Sequence, residues 1–304
     1  MRLFKSFLIF SFGLIANLLH SQDLSVTKIR ISVPLQFQNN VVYFNPAFAG
    51  SEGKRQFGFT GSSQHFNQAS SLGSGIAYYH APSGAREFQT GIGVVTSYDN
   101  ISPYSRGKFG FVYARGKQLT KNIRVAAGLQ LNGKFLTINY EAWRQLNPLG
   151  KNIVSDDSDV WPDLDAGIWI DAHPFFIGAS VVNIMQRTYE FKSDASRQDM
   201  REGLLTAGLK IRFAEGYNLK PSVLLQKGFE AAEPEISYNA TAMLKFLILG
   251  ATYRDKYNAT SPWYFNGGLN FGDKVYLIIA ASVPEKDISE VYKNTIEGNL
   301  RIQF

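Results

Sequence analysis

The sequence predicts an all-β protein whose fold is a transmembrane antiparallel β-barrel of about 14 strands. Three observations predict this fold. The N-terminus carries an export signal, short stretches of alternating apolar and polar residues recur to the end of the chain, and aromatic residues cluster near the ends of these stretches. Of the 304 residues, 14% are aromatic and only 18% are charged, with a formal net charge of +6. The basic residues are spread along the chain, so we expect no nucleic-acid partner.

The N-terminus has the pattern of a secretory signal peptide. Arg2 and Lys5 precede the apolar run Phe7–Leu19, after which the sequence turns polar. A basic start followed by a short apolar run is typical of a signal peptide, and we predict cleavage after Ser21, leaving Gln22 first. The alternative is an uncleaved membrane anchor. No further run of about 18 apolar residues follows, so no transmembrane helix is expected after this segment.

The alternation has a period of two. In residues 203–213, Leu205, Leu209 and their apolar neighbours at every second position alternate with small or charged residues such as Lys210. Successive side chains of a strand point to opposite faces, so such a strand separates two unlike environments. The pattern recurs in residues 162–171, 235–244 and 294–304. A soluble β-sandwich also alternates, so the period alone does not decide the fold.

Length and aromatic residues favour a barrel in the outer membrane of a Gram-negative bacterium. Most stretches have eight to eleven residues, close to the length that crosses a bilayer at a tilt. Aromatic residues near their ends include Tyr78-Tyr79, Tyr113 and Trp263-Tyr264-Phe265, and such girdles are typical of membrane interfaces. The terminal Phe304 lies in register with the apolar face and resembles the signal read by the barrel assembly machinery. The apolar face would contact outer-membrane lipid.

The strand count is even, as single-chain bacterial barrels require. The predicted strands are 56–63, 72–80, 87–97, 107–115, 122–140, 162–171, 175–183, 203–213, 218–228, 235–244, 247–254, 263–271, 274–283 and 294–304. Asn132-Gly133 is a strong hairpin signal inside 122–140. A hairpin would make the count odd, so we interpret this stretch as one strand with a bulge at Asn132-Gly133.

Connection lengths predict the orientation. Short and long connections alternate along the chain. The short ones are Ala172-His173-Pro174, Ala214–Tyr217, Lys245-Phe246 and Gly272-Asp273, and the long ones are Glu141–Trp161, Ile184–Glu202, Asp255–Pro262 and Pro284–Lys293. Periplasmic turns are short and external loops longer, so both termini are expected in the periplasm. The predicted organisation is a signal peptide at 1–21, a segment at 22–54 that plugs the lumen or lies in the periplasm, and a barrel at 55–304.

The sequence carries no catalytic motif, and we expect no enzyme, cofactor or metal. The absence of Cys excludes disulfides, thiolate ligands and Cys nucleophiles. Neither G-x-S-x-G nor H-E-x-x-H occurs, although a Ser and His pair of a barrel lipase would leave no sequence motif. The acidic stretch Asp156–Asp165 lacks EF-hand spacing, so an exposed loop is favoured over a Ca²⁺ site. Inward residues Asp163, Asp165 and Asp171 are expected to pair with Lys210 and Arg212 across the lumen.

One motif resembles a known family. Phe44-Asn45-Pro46-Ala47-Phe48-Ala49-Gly50 closely resembles the N-P-A-[YF]-A-G signature of the PorP/SprF family of the type IX secretion system. Further resemblance runs through Gly91-Ile92-Gly93, Pro162-Asp163-Leu164, Gly178-Ala179-Ser180 and Leu219-Lys220-Pro221. The resemblance implies an outer-membrane protein that aids secretion or surface attachment of partners such as adhesins, sometimes linked to gliding motility.

Two functions are therefore expected, in order. The first is a non-enzymatic barrel that docks a surface protein and contacts envelope-anchored components of the secretion pathway. The second is a solute channel, which a polar lumen equally permits. The candidate partner-binding or plug residues are those of the motif's tight turn, namely Phe44, Asn45, Pro46, Phe48 and Gly50. Asn-Pro favours a turn, and Gly50 allows a backbone conformation that other residues resist.

Overall fold

The barrel is closed, antiparallel and built from 14 strands in the computed structural model. The structure describes residues 27–64, 72–84, 88–146, 156–190, 196–231, 233–255, 262–283 and 295–304, so the predicted signal peptide lies outside the described residues. The barrel strands are β2 (Gln56–Gln64), β3 (Leu72–Ser83), β4 (Phe88–Ile101), β5 (Tyr104–Thr120), β6 (Ile123–Ile138), β7 (Asp157–Ala172), β8 (Phe175–Val182), β11 (Glu202–Leu209), β12 (Ile211–Ala214), β13 (Tyr217–Gly228), β14 (Glu235–Leu244), β15 (Leu247–Asp255), β16 (Trp263–Phe271), β17 (Val275–Ser282) and β18 (Thr295–Gln303).

Seven small elements of the described residues lie outside the barrel wall. They are β1 (Thr27–Ile29), β9 (Thr188–Glu190), β10 (Ser196–Asp199), the helices α1 (Val41–Phe44) and α2 (Tyr140–Leu146), and two 3-10 turns, Phe37–Asn39 and Pro46–Phe48. Strands β1, β10 and β9 form a separate three-stranded sheet in that order. Within the described part of the chain, no helix is long and apolar enough to cross a membrane.

Every barrel strand pairs with its neighbours in sequence, and β18 closes the ring against β2. Strands β11 and β12 form one strand in two pieces, because both pair with β13 in the same register. Pairing stops after Gly208–Ser222 and resumes at Ile211–Leu219. Pro221 lies in this gap and has no N–H to donate, which explains the local break in the hydrogen-bond ladder.

Side chains alternate between the lumen and the outer surface as the period of two predicts. On β6, Leu131 is 59% exposed while the next residue, Asn132, is 2% exposed. The apolar outer surface and polar lumen match a barrel that faces lipid. For two residues the predicted place in an aromatic girdle is wrong. Tyr78 and Tyr264 are buried in the lumen, whereas their neighbours Tyr79 and Trp263 are exposed.

The stretch 122–140 forms one strand, β6, but the predicted bulge at Asn132-Gly133 is wrong. Pairing with β5 and β7 runs through both residues without a register shift. Asn132 donates to Asp165 Oδ2 at 2.9 Å, so it serves as a polar lumen residue rather than a turn residue. Gly133 then occupies the outward position next to it.

The two ends of the barrel differ in their connections. One end, here the short-turn end, carries the connections 121–122, 173–174, 215–216, 245–246 and 272–274. The opposite end, here the long-loop end, carries 139–156 and 183–201, as predicted from connection length. One connection departs from the rule: β4 and β5 extend beyond their predicted stretches, so only residues 102–103 join them at the long-loop end.

Candidate functional site

Residues 30–50, here called the lumen segment, run through the barrel from one end to the other. At the long-loop end, Arg30 pairs with Glu202 at 2.7 Å and with Glu235, which begin β11 and β14. Near the short-turn end, the backbone N–H of Gly50 donates to His80 Nδ1 at 3.3 Å. Phe304 lies at the short-turn end, so the first and last described residues occupy opposite ends. The expectation that both termini lie in the periplasm concerns Gln22, which is outside the described residues, so it stays a prediction.

The start of the lumen segment is tied to the described part of the 183–201 loop. Strand β1, just before it, pairs in parallel with β10 of the 183–201 loop. The backbone N–H of Ile31 donates to Glu202 Oε2 at 2.8 Å, and Arg106 donates to the carbonyl of Arg30 at 2.6 Å. The loop and the segment therefore hold each other at the long-loop end.

Inward polar side chains also hold the segment further along the lumen, through its backbone and through the Asn40 side chain. Glu297 accepts the N–H groups of Leu35 and Gln36 at 2.7 and 2.9 Å. Thr60 donates to Asn40 Oδ1 at 2.8 Å, and Tyr78 donates its hydroxyl proton to the Asn39 carbonyl at 2.7 Å. A buried carboxylate needs partners, and these backbone donors supply them for Glu297.

Mid-lumen charges occur as pairs around Tyr43. Lys108 lies 4.3 Å from the Tyr43 ring centre and 3.4 Å from an Asp165 oxygen. Lys134 pairs with both Asp163 and Asp199, the latter at 3.0 Å. Each of these cations is buried, and each has a carboxylate partner that offsets the loss of solvation.

Asn45 and Pro46 form the turn at which the predicted motif begins. Asn45 Oδ1 accepts the N–H of Ala47 at 3.1 Å, which caps the 3-10 turn Pro46–Phe48. The same side chain donates to the carbonyl of Ile168 at 3.1 Å and to that of Ala179 at 3.4 Å. One amide thus fixes the turn and attaches it to β7 and β8.

Phe48 packs into an aromatic pocket in the barrel wall. Its ring meets Trp169 edge-on at a centroid distance of 5.0 Å and His80 at 5.9 Å. Trp169 in turn stacks on Phe176 at 5.4 Å. Gly50 follows with φ of +71°, a conformation that a glycine adopts without strain.

Inward-facing glycines make room for this turn. They are Gly91 of β4, Gly128 of β6, Gly167 of β7 and Gly178 of β8. A Cβ atom on Gly91 would lie 2.0 Å from the Ala49 carbonyl oxygen. A Cβ atom on Gly128 would lie 2.4 Å from the Ala47 nitrogen. A side chain at Gly91 or Gly128 would therefore displace the backbone of the lumen segment, which gives a steric reason for glycine there.

All five predicted motif residues come together, but none lies on a surface. Phe44 is fully buried, Asn45 is 1% exposed, and Pro46, Phe48 and Gly50 are buried too. A partner could contact them only after the segment leaves its place. Phe304, the predicted assembly signal, is 70% exposed, and its N–H donates to the Arg55 carbonyl at 3.0 Å.

The predicted charge pairs across the lumen form only in part. Asp171 pairs with Lys210 at 3.0 Å. Asp163 and Asp165 instead belong to the mid-lumen pairs, and Arg212 has no acidic partner within 4 Å among the described residues. Sequence reasoning did not identify the carboxylates that hold the segment, Glu202 and Glu297. Both occupy inward positions in the alternating pattern of β11 and β18, and this position could have indicated them.

The acidic residues of the stretch Asp156–Asp165 lie in different places. Asp163 and Asp165 point into the lumen, whereas Asp156 accepts the Tyr140 N–H at 2.7 Å and Asp159 pairs with Arg187 at 3.1 Å. Among the residues that the structure describes, no cluster of His, Asp or Glu could hold a metal ion. His173 lies in the turn between β7 and β8, as its position before Pro174 indicated.

The fold and its contents define the class of protein: a transmembrane β-barrel whose lumen holds its own N-terminal segment. The sequence profile described as type IX secretion system membrane protein PorP/SprF matches residues 27–298. The chain belongs to this family, and it is accordingly an outer-membrane barrel of the type IX secretion system. No curated protein matches it by sequence.

Solved barrels share the fold. A structure named as a TodX deltaS2S3 mutant monoaromatic hydrocarbon channel has a TM-score of 0.54 at 10% identity, covering 92% of this chain and 94% of its own. The deltaS2 mutant of the same channel gives 0.52 at 10% identity, with 87% and 93% covered. At this identity the likeness shows the fold alone.

Proposed function

We propose that the protein is a non-enzymatic docking barrel, which holds a secreted surface protein such as an adhesin at its long-loop end. The observation that carries this proposal is the filled lumen. The lumen segment contacts the wall near both ends and in the middle, and most of its residues from 35 to 50 are buried. A barrel filled in this way is suited to presenting surfaces rather than to passing solutes.

The long-loop end supports the proposal because a buried hydrophobic cluster fixes part of it, here called the platform. Trp161 and Tyr189 pack at a ring-centroid distance of 4.2 Å, and Leu136 and Ile138 complete this buried cluster. The cluster joins the 183–201 loop to β6 and β7. A preorganised surface loses less conformational entropy when a partner binds.

The second candidate is a solute channel. The solved barrels of the same fold are named as channels, but their likeness extends to the fold only. Conductance separates the two functions. In a planar bilayer the full chain should pass almost no current, whereas a variant without residues 30–50 should open a pore. Steady conductance of the full chain would favour the channel and oppose the docking proposal.

Docking is tested by site-directed cross-linking in the Cys-free chain. Met185 is 58% exposed in the 183–201 loop, and Lys274 is exposed at the short-turn end. A Cys in place of Met185 should react with a membrane-impermeant thiol reagent on whole cells, and a bifunctional version should capture the displayed protein. Lys274→Cys is the matched control and should do neither. Capture from position 274 alone would place the partner at the wrong end.

The contacts with envelope-anchored secretion components and any role in gliding motility belong to the same proposal. They are implied by the family, and the short-turn end is the surface available to them. Co-purification from detergent-solubilised envelopes of the producing bacterium, with mass spectrometry of the captured proteins, tests both. Recovery of barrel assembly proteins alone would argue against a docking role.

A further inference from the structure

A cavity of about 370 Å³ lies inside the barrel at the short-turn end, here called the short-turn cavity. It lies beneath the lumen segment, whose Gln38 and Asn39 form its inner wall. The basic side chains that line it are Lys210, Arg212, Lys220 and Arg301. The acidic side chain in its lining is Glu52. The cavity is therefore basic, unlike the balanced mid-lumen.

Its positive charges exceed the nearby carboxylates. Asp171 pairs with Lys210 at 3.0 Å. Burial raises the pKa of Glu52, but Arg301, Lys220 and Lys210 together lower it to about 2, so Glu52 stays charged at neutral pH. Four cations against two carboxylates leave a net charge of about +2, taking one charge per side chain.

Three of the four cations lack an acidic partner within 4 Å among the described residues, namely the exposed Arg212 and the half-buried Lys220 and Arg301. Lys220 Nζ lies over the Phe176 ring at 5.3 Å, and Arg301 lies over the Tyr276 ring at 4.2 Å. Arg301 Nε is buried and finds no hydrogen-bond partner. The mid-lumen cations Lys108 and Lys134 each have a carboxylate. Cations that a fold leaves unpaired in a concave, polar site attract an anion from outside.

We propose that the short-turn cavity binds a carboxylate-bearing segment of a partner polypeptide, with Lys220 and Arg301 as the groups that contact the carboxylate. A peptide fits better than a lipid headgroup, because the four basic side chains lie at inward positions of their strands and the sheet separates them from lipid. Gln38, Asn39 and Asn218 supply amides that can bond a peptide backbone. The inference rests on the proposed function for its partner, a component of the secretion pathway at this end of the barrel.

The test is calorimetric titration of the purified full chain with a tetraglutamate peptide. The wild-type protein should bind it, and Lys220→Gln and Arg301→Gln should each weaken binding about tenfold or more, since each removes a charged hydrogen-bond donor. Glu52→Gln should strengthen binding, because it removes the competing internal carboxylate. Lys274→Gln, at the same end but outside the cavity, is the matched control and should bind like the wild type.

Conservative variants keep the test decisive if the glutamine variants fail to fold. Lys220→Arg and Arg301→Lys retain the charge and should retain binding, with heat-modifiable gel mobility as the check on folding. Equal binding of tetraglutamine, or unchanged binding in folded charge-loss variants, would overturn the proposal. Binding of inorganic phosphate but not of tetraglutamate would also overturn it, as would displacement of the peptide only by anionic-lipid nanodiscs. These outcomes involve neither conductance nor display, so they are distinct from failure of the docking proposal.

Discussion

At the scale of single residues, the lumen segment depends on wall positions that carry no side chain. The four inward glycines lie on β4, β6, β7 and β8, and their missing Cβ atoms make the space that residues 45–49 occupy. The outward glycine Gly298 has nothing within 4 Å of the position where its Cβ would lie. The two kinds of glycine therefore predict different responses to the same substitution.

Gly91→Ala should destabilise the assembled protein, since its Cβ would lie 2.0 Å from the Ala49 backbone oxygen. Overpacking of this kind costs about 1–3 kcal/mol. The measurement is the midpoint temperature of heat-modifiable gel mobility, with Gly298→Ala as the matched control. Equal midpoints for the two variants would show that the segment does not press on the wall at Gly91.

Phe48→Ala combined with Pro46→Ala should leave the barrel assembled and impair display of the partner. The strand ladder involves neither residue, whereas loss of the Phe48 ring leaves a cavity against Trp169 and loosens the segment. Heat-modifiable mobility reports assembly, and whole-cell immunolabelling of the partner reports display. Loss of assembly would make the turn purely structural. Normal display by an assembled variant would show that docking does not depend on this turn.

At the scale of elements, alternation predicted the strands because burial on one side and lipid on the other impose a period of two. The same rule could not identify aromatic residues that face inward, so Tyr78 and Tyr264 were misplaced. The Asn132-Gly133 bulge failed for a related reason. Asn-Gly favours a turn locally, but the hydrogen bond from Asn132 to Asp165 in the lumen keeps this stretch in the strand.

The conformation of the lumen segment could not be predicted from hydrophobic periodicity. Residues 35–49 combine an apolar run, Val41–Phe44, with amides, and they show neither a strand nor a long-helix period. Their conformation is set by partners distant in sequence, such as Glu297 and Thr60. The motif around Asn45 could be found from the sequence, but whether its segment plugs the lumen or lies in the periplasm stayed open.

Charging the lipid face should depend on depth. Leu131 is 59% exposed halfway along β6, and Leu119 is 56% exposed next to the short-turn end of β5. Leu131→Arg should cost about 2–4 kcal/mol in the free energy of folding into a bilayer, and Leu119→Arg about 0–1 kcal/mol. Denaturant titration of refolding into lipid vesicles measures both. Equal free-energy costs for the two variants would mean that the apolar belt is not centred near Leu131.

At the scale of the whole molecule, two features follow from one arrangement. Strand β1, which joins the sheet at the long-loop end, leads directly into the segment that fills the lumen, and this segment ends two residues before Glu52 of the short-turn cavity. A continuous piece of chain thus connects the two ends of the barrel. Movement of the segment would change both ends together, whereas a fixed segment would let each end bind its partner independently.

A cross-link between the segment and the wall decides between these two cases. Thr60 donates to Asn40 at 2.8 Å, so their side chains meet inside the barrel, and the chain has no native Cys. We expect Asn40→Cys with Thr60→Cys to form a disulfide under mild oxidation, read by loss of free thiol. Because the platform at the long-loop end is already formed in the filled barrel, display of the partner should be equal in the oxidised and reduced protein. Each single Cys variant, treated in the same way, controls for oxidation itself. If oxidation of the double variant alone blocked display, the segment would have to leave its place during docking, and the buried motif would become a contact surface.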